Sequence, residues 1–150
     1  MVSGLDSSGA PRTAIGLKDD GTAIFYTIDG RQSGYSVGAS ESLLAQRLLQ
    51  LGCTTAVCLD GGGSTTLTAT LPSATSSSRI NQPSGGSERA VSTQIFLVAS
   101  AAPSGELDHY YIAPLSTQLL AGAKTQLSYS AVDTNYIPIS TNSGASWSAS

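Results

Sequence analysis

Apolar and polar positions change their spacing several times along the chain, and each change marks an element. Arg12–Lys18 (Arg-Thr-Ala-Ile-Gly-Leu-Lys) reads as a short strand, and Thr22–Asp29, rich in Ile, Phe, Tyr and Thr, as a second. Asp19-Asp20-Gly21 lies between them; two β-rich runs joined by Asp-Gly are the best short-range signal for a hairpin. Asp29-Gly30-Arg31 ends the second strand in another turn. Leu43, Leu44, Leu48 and Leu51 then recur at helical spacing, with Ser40 as N-cap, Glu41 in the first turn and Gly52 as the terminating residue. Thr54–Leu59 reads as a short buried strand that runs straight into Asp60-Gly61-Gly62-Gly63-Ser64-Thr65-Thr66. Leu71–Gly86, rich in Ser and Pro, reads as a surface loop, and Arg89–Ala99 as a closing strand. The order β-β-α-β-loop-β predicts an α+β domain: a mixed β-sheet with a helix packed on one face.

Beyond this, Ala101-Ala102-Pro103-Ser104-Gly105 reads as a linker. Tyr110–Ser150 holds only Lys124 and Asp133 as charges and reads as short strands at Tyr111–Ile112, Thr125–Val132 and Trp147. About forty residues bury too little surface to stand alone as a β-sandwich. The expected division is therefore a disordered leader over 1–10, a domain over 11–100, a linker over 101–109 and an incomplete all-β segment over 110–150.

Composition narrows the function classes. Charged residues make up 11% of the 150, with Lys+Arg 7 against Asp+Glu 10 and a net charge of -3, so no basic stripe exists to neutralise a nucleic-acid backbone. The longest apolar run, Ile95–Ala99, is strand-sized and far below the roughly 20 residues of a membrane helix, so no membrane insertion is expected. Met1–Asp6 has neither a basic nor an apolar region and is not a signal peptide. Cys53 and Cys58 match no zinc spacing and read as two buried small side chains rather than a disulfide.

Elimination shapes the chemistry. The sole histidine, His109, lies in or next to the linker, so Pro11–Ala99 offers no imidazole for a Ser-His-Asp triad, a Cys-His pair or a two-histidine zinc site. No lysine follows the triple glycine, which excludes a nucleotide P-loop. Proton transfer is left to carboxylates, chiefly Asp29, Asp60 and Glu88, and anion binding to arginines and glycine-rich amides. The strongest constellation is Leu59-Asp60-Gly61-Gly62-Gly63-Ser64-Thr65: a carboxylate at a strand's end, three residues without Cβ that allow close approach and inward-turned amides, then two hydroxyls. The competing reading is a turn in which Asp60 only caps the reversal. Arg12, Arg31 and Arg89 can each bind phosphate bidentately, or be solvated surface charges. Asp29 also reads as a turn former, and Glu88 as an ion-pair partner of Arg89.

Four motifs carry a family resemblance. Pro-Arg-Thr-Ala-Ile-Gly (11–16), Asp-Gly-Arg (29–31), Leu-Asp-Gly-Gly-Gly-Ser-Thr-Thr (59–66) and Glu-Arg-Ala-Val-Ser (88–92) together resemble the phosphodiester glycosidase family, over the C-terminal part of its domain. The resemblance implies hydrolysis of a sugar-1-phosphodiester of the GlcNAc-1-phosphodiester type, releasing the sugar and leaving a phosphomonoester. Carried over by motif, Arg12, Thr13, Asp29, Asp60, Gly61, Gly62, Gly63, Ser64, Thr65 and Arg89 would line the substrate pocket; our own reading of their roles makes Asp60 and Asp29 catalytic and the others substrate-binding. Glu88 and Arg31 are further candidates. No cofactor or metal ligand set is expected; Ca²⁺ or Mg²⁺ on Asp60 and Asp29 is chemically allowed but not demanded. The expected partner is a phosphosugar or cell-wall glycan, outside the cell or at its surface. The tail, from Tyr111-Ile112-Ala113-Pro114 to Trp147-Ser148, resembles the start of a bacterial immunoglobulin-like repeat. Two alternatives stand beside the enzyme: a noncatalytic phosphosugar- or glycan-binding module, and an inactive fragment.

Overall fold

The computed structural model describes residues 7–71, 74, 76–114, 118–140 and 146–147. The hairpin forms where the pattern places it: β1 (Arg12–Leu17) pairs antiparallel with β2 (Ala23–Ile28), in register from Arg12 opposite Ile28 to Leu17 opposite Ala23. Asp20 Oδ1 accepts from Thr22 N at 2.8 Å and Lys18 N donates to Thr22 O at 3.0 Å, which closes the turn. α1 (Glu41–Gln50) begins at Ser40, whose Oγ accepts from Leu43 N at 3.1 Å, and crosses over to β3 (Thr55–Cys58). β3 pairs antiparallel with the other edge of β1, giving the order β2-β1-β3. This sheet is antiparallel rather than mixed, because the tight hairpin puts β1 between the two strands that the helix connects.

Burial along β1 alternates, with Arg12, Ala14 and Gly16 inward and Thr13, Ile15 and Leu17 less covered. Ala14 joins Leu44, Leu48 and Cys53 in the core, with Ile24, Tyr26 and Ile28 packed against it. Burying each leucine contributes about 1.5–3 kcal/mol, so this one helix face holds the sheet. Leu43, at 52% exposure, lies off that face.

Four expectations change. β3 is exposed along its length, because it is an edge strand paired on one side alone. Cys58 is accordingly exposed while Cys53 is buried, and both are free. Arg89–Ala99 forms no strand: Ile95, Phe96, Leu97 and Val98 are 58%, 74%, 81% and 78% exposed, and no described residue supplies a ladder partner. The expected 71–86 loop contains a short strand, β5 (Ser78–Arg79), which pairs with β4 (Thr68–Ala69), and Ile80 N donates to Leu67 O at 2.9 Å. The end of the expected leader is structural, since Ala10 is 3% exposed and bridged to Ala39; residues 1–6 lie outside the described set.

Chain contacts divide the molecule into one unit of residues 1–69 and 79–95 and another of 70–78 and 96–150. The second contains β6 (Leu107–Ala113), β7 (Ser128–Asp133) and β8 (Pro138–Ile139) in an antiparallel sheet of that order. His109, expected in or next to the linker, sits in β6. Asp133 is fully buried and accepts from the amides of Ser104, Gly105, Asn135 and Ile137 at 2.6, 3.3, 2.8 and 2.9 Å. The expected linker is thus tied to this sheet at Ser104–Gly105. Three antiparallel strands are common to many β folds and do not single out an immunoglobulin-like one.

Candidate active site

The glycine bend is held by the first residues of β1. Leu59 N donates to Thr13 O at 2.8 Å, and Gly62 N to Pro11 O at 2.8 Å. Gly61 passes so close that a Cβ there would lie 2.7 Å from Pro11 O. Gly62 has φ +61° and opens a single 3-10 turn, Gly62–Ser64. Thr65 then plugs the bend: it is fully buried, and its Oγ1 accepts from Thr13 Oγ1 at 3.2 Å. Thr13 and Thr65, both expected to meet substrate, join the bend to the sheet through this bond. Of the amides along the bend, those of Gly62, Ser64 and Thr65 are taken by Pro11 O, Gly61 O and Gly62 O.

What the missing side chains make room for is arginine. A Cβ on Gly62 would lie 3.0 Å from Arg31 Nη1, and one on Gly63 would lie 2.7 Å from Arg89 Cζ. Two guanidiniums from distant segments thus rest on consecutive glycines. Arg31 reaches the bend from a left-handed position, φ +56°, just after Asp29-Gly30. Both arginines are exposed and neither is paired with a carboxylate among the described residues. A cleft of about 270 Å³ opens over them, lined by Arg31, Gly63, Ser84, Gly85, Ser87, Glu88 and Arg89. A guanidinium offers a planar fork of N–H donors, and this cleft holds two of them.

Arg12, also expected in the pocket, is held inside the fold. It is 8% exposed; its Nε donates to Ala39 O at 2.9 Å and its Nη2 to Ser8 O at 3.0 Å, while its Nη1 meets Glu41 Oε1 at 3.2 Å. It sits at an inward position of β1 and ties the strand to the start of α1. Glu88 pairs with Arg79 at 3.8 Å rather than with its neighbour Arg89.

The carboxylates differ as sharply. Asp60 is exposed and makes no hydrogen bond or ion pair with any described residue. Asp29 is a clasp: its Oδ1 accepts from Asn81 Nδ2 at 2.9 Å, and its Oδ2 from Tyr35 Oη at 3.0 Å and Gln82 N at 2.9 Å. The bond to Asp29 pushes the Tyr35 hydroxyl above its ordinary pKa, which keeps it the donor. Ser64 is half-buried at the end of the 3-10 turn. Among the described residues no three His, Cys, Asp or Glu side chains gather as a metal ligand set. No helix of the described residues is long and apolar enough to cross a membrane.

Sequence reasoning passed over Asn81, Gln82, Tyr35, Ser84 and Ser87. The one available signal was Asn-Gln-Pro (81–83) interrupting a serine-rich loop shortly before Glu-Arg (88–89).

Fold and site together define an α+β domain with two arginines, Arg31 and Arg89, resting on a triple-glycine bend. Residues 2–98 match the family described as phosphodiester glycosidase, and the chain belongs to that family, one of glycosidase-type enzymes. It is also similar to an SPbeta prophage-derived uncharacterized protein, YomE, of Bacillus subtilis (strain 168), with 42% identity over 81 residues. That alignment spans 54% of this chain and 12% of YomE. No solved structure matches the chain.

Proposed function

We propose that this domain hydrolyses a sugar-1-phosphodiester of the GlcNAc-1-phosphodiester type, releasing the sugar and leaving a phosphomonoester. The observation that supports this reading is the pair of unpaired guanidiniums, Arg31 and Arg89, seated on Gly62 and Gly63. Together they hold the diester phosphate and stabilise the charge it gains as the bond to the anomeric carbon breaks. Phosphate is already a good leaving group, so charge stabilisation matters more than strong general-acid help.

Asp60, without a partner among the described residues and at the entry to the same bend, acts at the anomeric carbon as nucleophile or as base for water. Asp29 fixes the surroundings, since its oxygens are engaged by Asn81, Gln82 and Tyr35. Ser64, with Ser84 and Ser87 in the cleft wall, supplies hydroxyls to the substrate. No cation takes part in this scheme. The substrate class, phosphosugar or cell-wall glycan, goes with a site of action outside the cell or at its surface.

The test is sugar release from a GlcNAc-1-phosphodiester beside a binding titration with the same compound. Binding without release would replace the enzyme by a phosphosugar-binding module, and neither would end the reading altogether.

A further inference from the structure

We infer that Asn81 is the positioning residue of the anion cradle: its side-chain amide latches the segment that carries Arg89 to both the glycine bend and the end of β2. The inference rests on the cradle read above as the substrate phosphate site. Asn81 Nδ2 donates to Asp29 Oδ1 at 2.9 Å and to Thr65 O at 3.1 Å, and its Oδ1 accepts from Leu67 N at 2.8 Å. Both N–H groups of the amide are in use. Its orientation is fixed as well, because the flipped amide would set oxygen against a carboxylate and a carbonyl, and NH₂ against an N–H. Every partner lies far off in the chain: Asp29 closes β2, while Thr65 and Leu67 form the exit of the bend. Gln82 N completes the latch on Asp29 Oδ2 at 2.9 Å. The buried Pro83 follows, and then the cleft wall from Ser84 to Arg89. The lateral position of the Arg89 guanidinium over Gly63 is thereby set eight residues upstream.

Asn81→Asp tests this through pH. Two carboxylates at the present Asn81–Asp29 separation repel when both are ionised, and share a proton in acid, where the protonated one donates as Asn81 does now. Sulfate serves as the probe because it does not titrate between pH 5 and 7. Titrated into the full chain, it is expected to bind Asn81→Asp at least ten-fold more weakly than wild type at pH 7, and within about three-fold of wild type at pH 5, with thermal melts recorded at each pH. Equal affinity at pH 7, or an equal loss at both pH values, overturns the latch. If Asn81→Asp does not fold at pH 7, Asn81→Ala decides: a folded variant with undiminished sulfate affinity overturns it, and a ten-fold loss supports it. Wild-type chain that binds sulfate but releases no sugar from the diester refutes the catalytic reading while the pH signature of Asn81 is judged on its own.

Discussion

Arg12 occupies an inward position of β1, so its guanidinium runs toward the start of α1 and finds Ala39 O, Ser8 O and Glu41. Arg89 lies in a segment outside any helix or strand and comes to rest on Gly63. In sequence the two look alike, each an arginine opening a β-rich run; only the alternation of β1 against the helix separates them. The functional consequences are opposite. Arg12→Ala is expected to lower stability by about 1–3 kcal/mol, the cost of leaving buried acceptors unmet, with sulfate affinity unchanged. Urea unfolding beside a sulfate titration checks it. Arg31→Ala and Arg89→Ala are expected to do the reverse, each weakening sulfate ten-fold or more at an unaltered melting temperature. Asp60 is tied to no described residue, so Asp60→Asn is expected to leave the melt intact while lowering turnover of a GlcNAc-1-phosphodiester by about 10²–10⁴-fold. Near-normal turnover in that variant would remove Asp60 from catalysis.

At the level of elements, the hairpin and helix were legible because local chemistry decides them: an Asp-Gly turn, a serine cap and leucines at helical spacing. The glycine bend was legible as a site, but its working was not. The amides of Gly62, Ser64 and Thr65 are taken by carbonyls, and Gly62 and Gly63 accommodate guanidiniums from Arg31 and Arg89, contacts that no local pattern encodes. This separates two outwardly similar substitutions. Gly61→Ala sets a methyl against the backbone carbonyl of Pro11, which cannot swing away, and is expected to cost about 1–3 kcal/mol of stability. Gly63→Ala meets only the far end of a flexible side chain, so the fold is expected to stand while sulfate affinity falls. The second sheet has a pH element of its own. Burial pushes the Asp133 carboxyl up, yet bonds from the amides of Ile137, Ser104, Asn135 and Gly105 outweigh it and hold the carboxyl below its ordinary value of 3.8. A depressed carboxylate pKa contributes stability above the unfolded value and loses it as pH falls through the folded one. The Asn135 and Ile137 amide resonances are thus expected to stay native-like down to about pH 4 and to shift below it. In Asp133→Asn that acid-dependent step is expected to disappear.

Across the whole molecule, the strand expected at Arg89–Ala99 shows what a single sequence cannot supply. Ile-Phe-Leu-Val (95–98) has β-forming residue types, but a strand exists only where another backbone answers its N–H and C=O groups, and no described residue does so. The same holds at the outer edge of β3, which pairs with β1 on one side and presents Val57 at 54% exposure on a strand exposed throughout. An unpaired edge strand and a four-residue apolar strip are both templates for association, and the low charge of the chain, 11% of residues, does little to oppose it. This chain is therefore expected to self-associate as its concentration rises, seen as a mass that grows in light scattering. Replacing Phe96→Lys and Val98→Lys places two positive charges in the strip without touching the core of Ala14, Leu44, Leu48 and Cys53. The double variant is expected to hold a constant monomer mass over the same range with an unchanged circular dichroism spectrum. Association that persists undiminished would shift the adhesive surface from the strip to the β3 edge, where Val57→Lys makes the corresponding test.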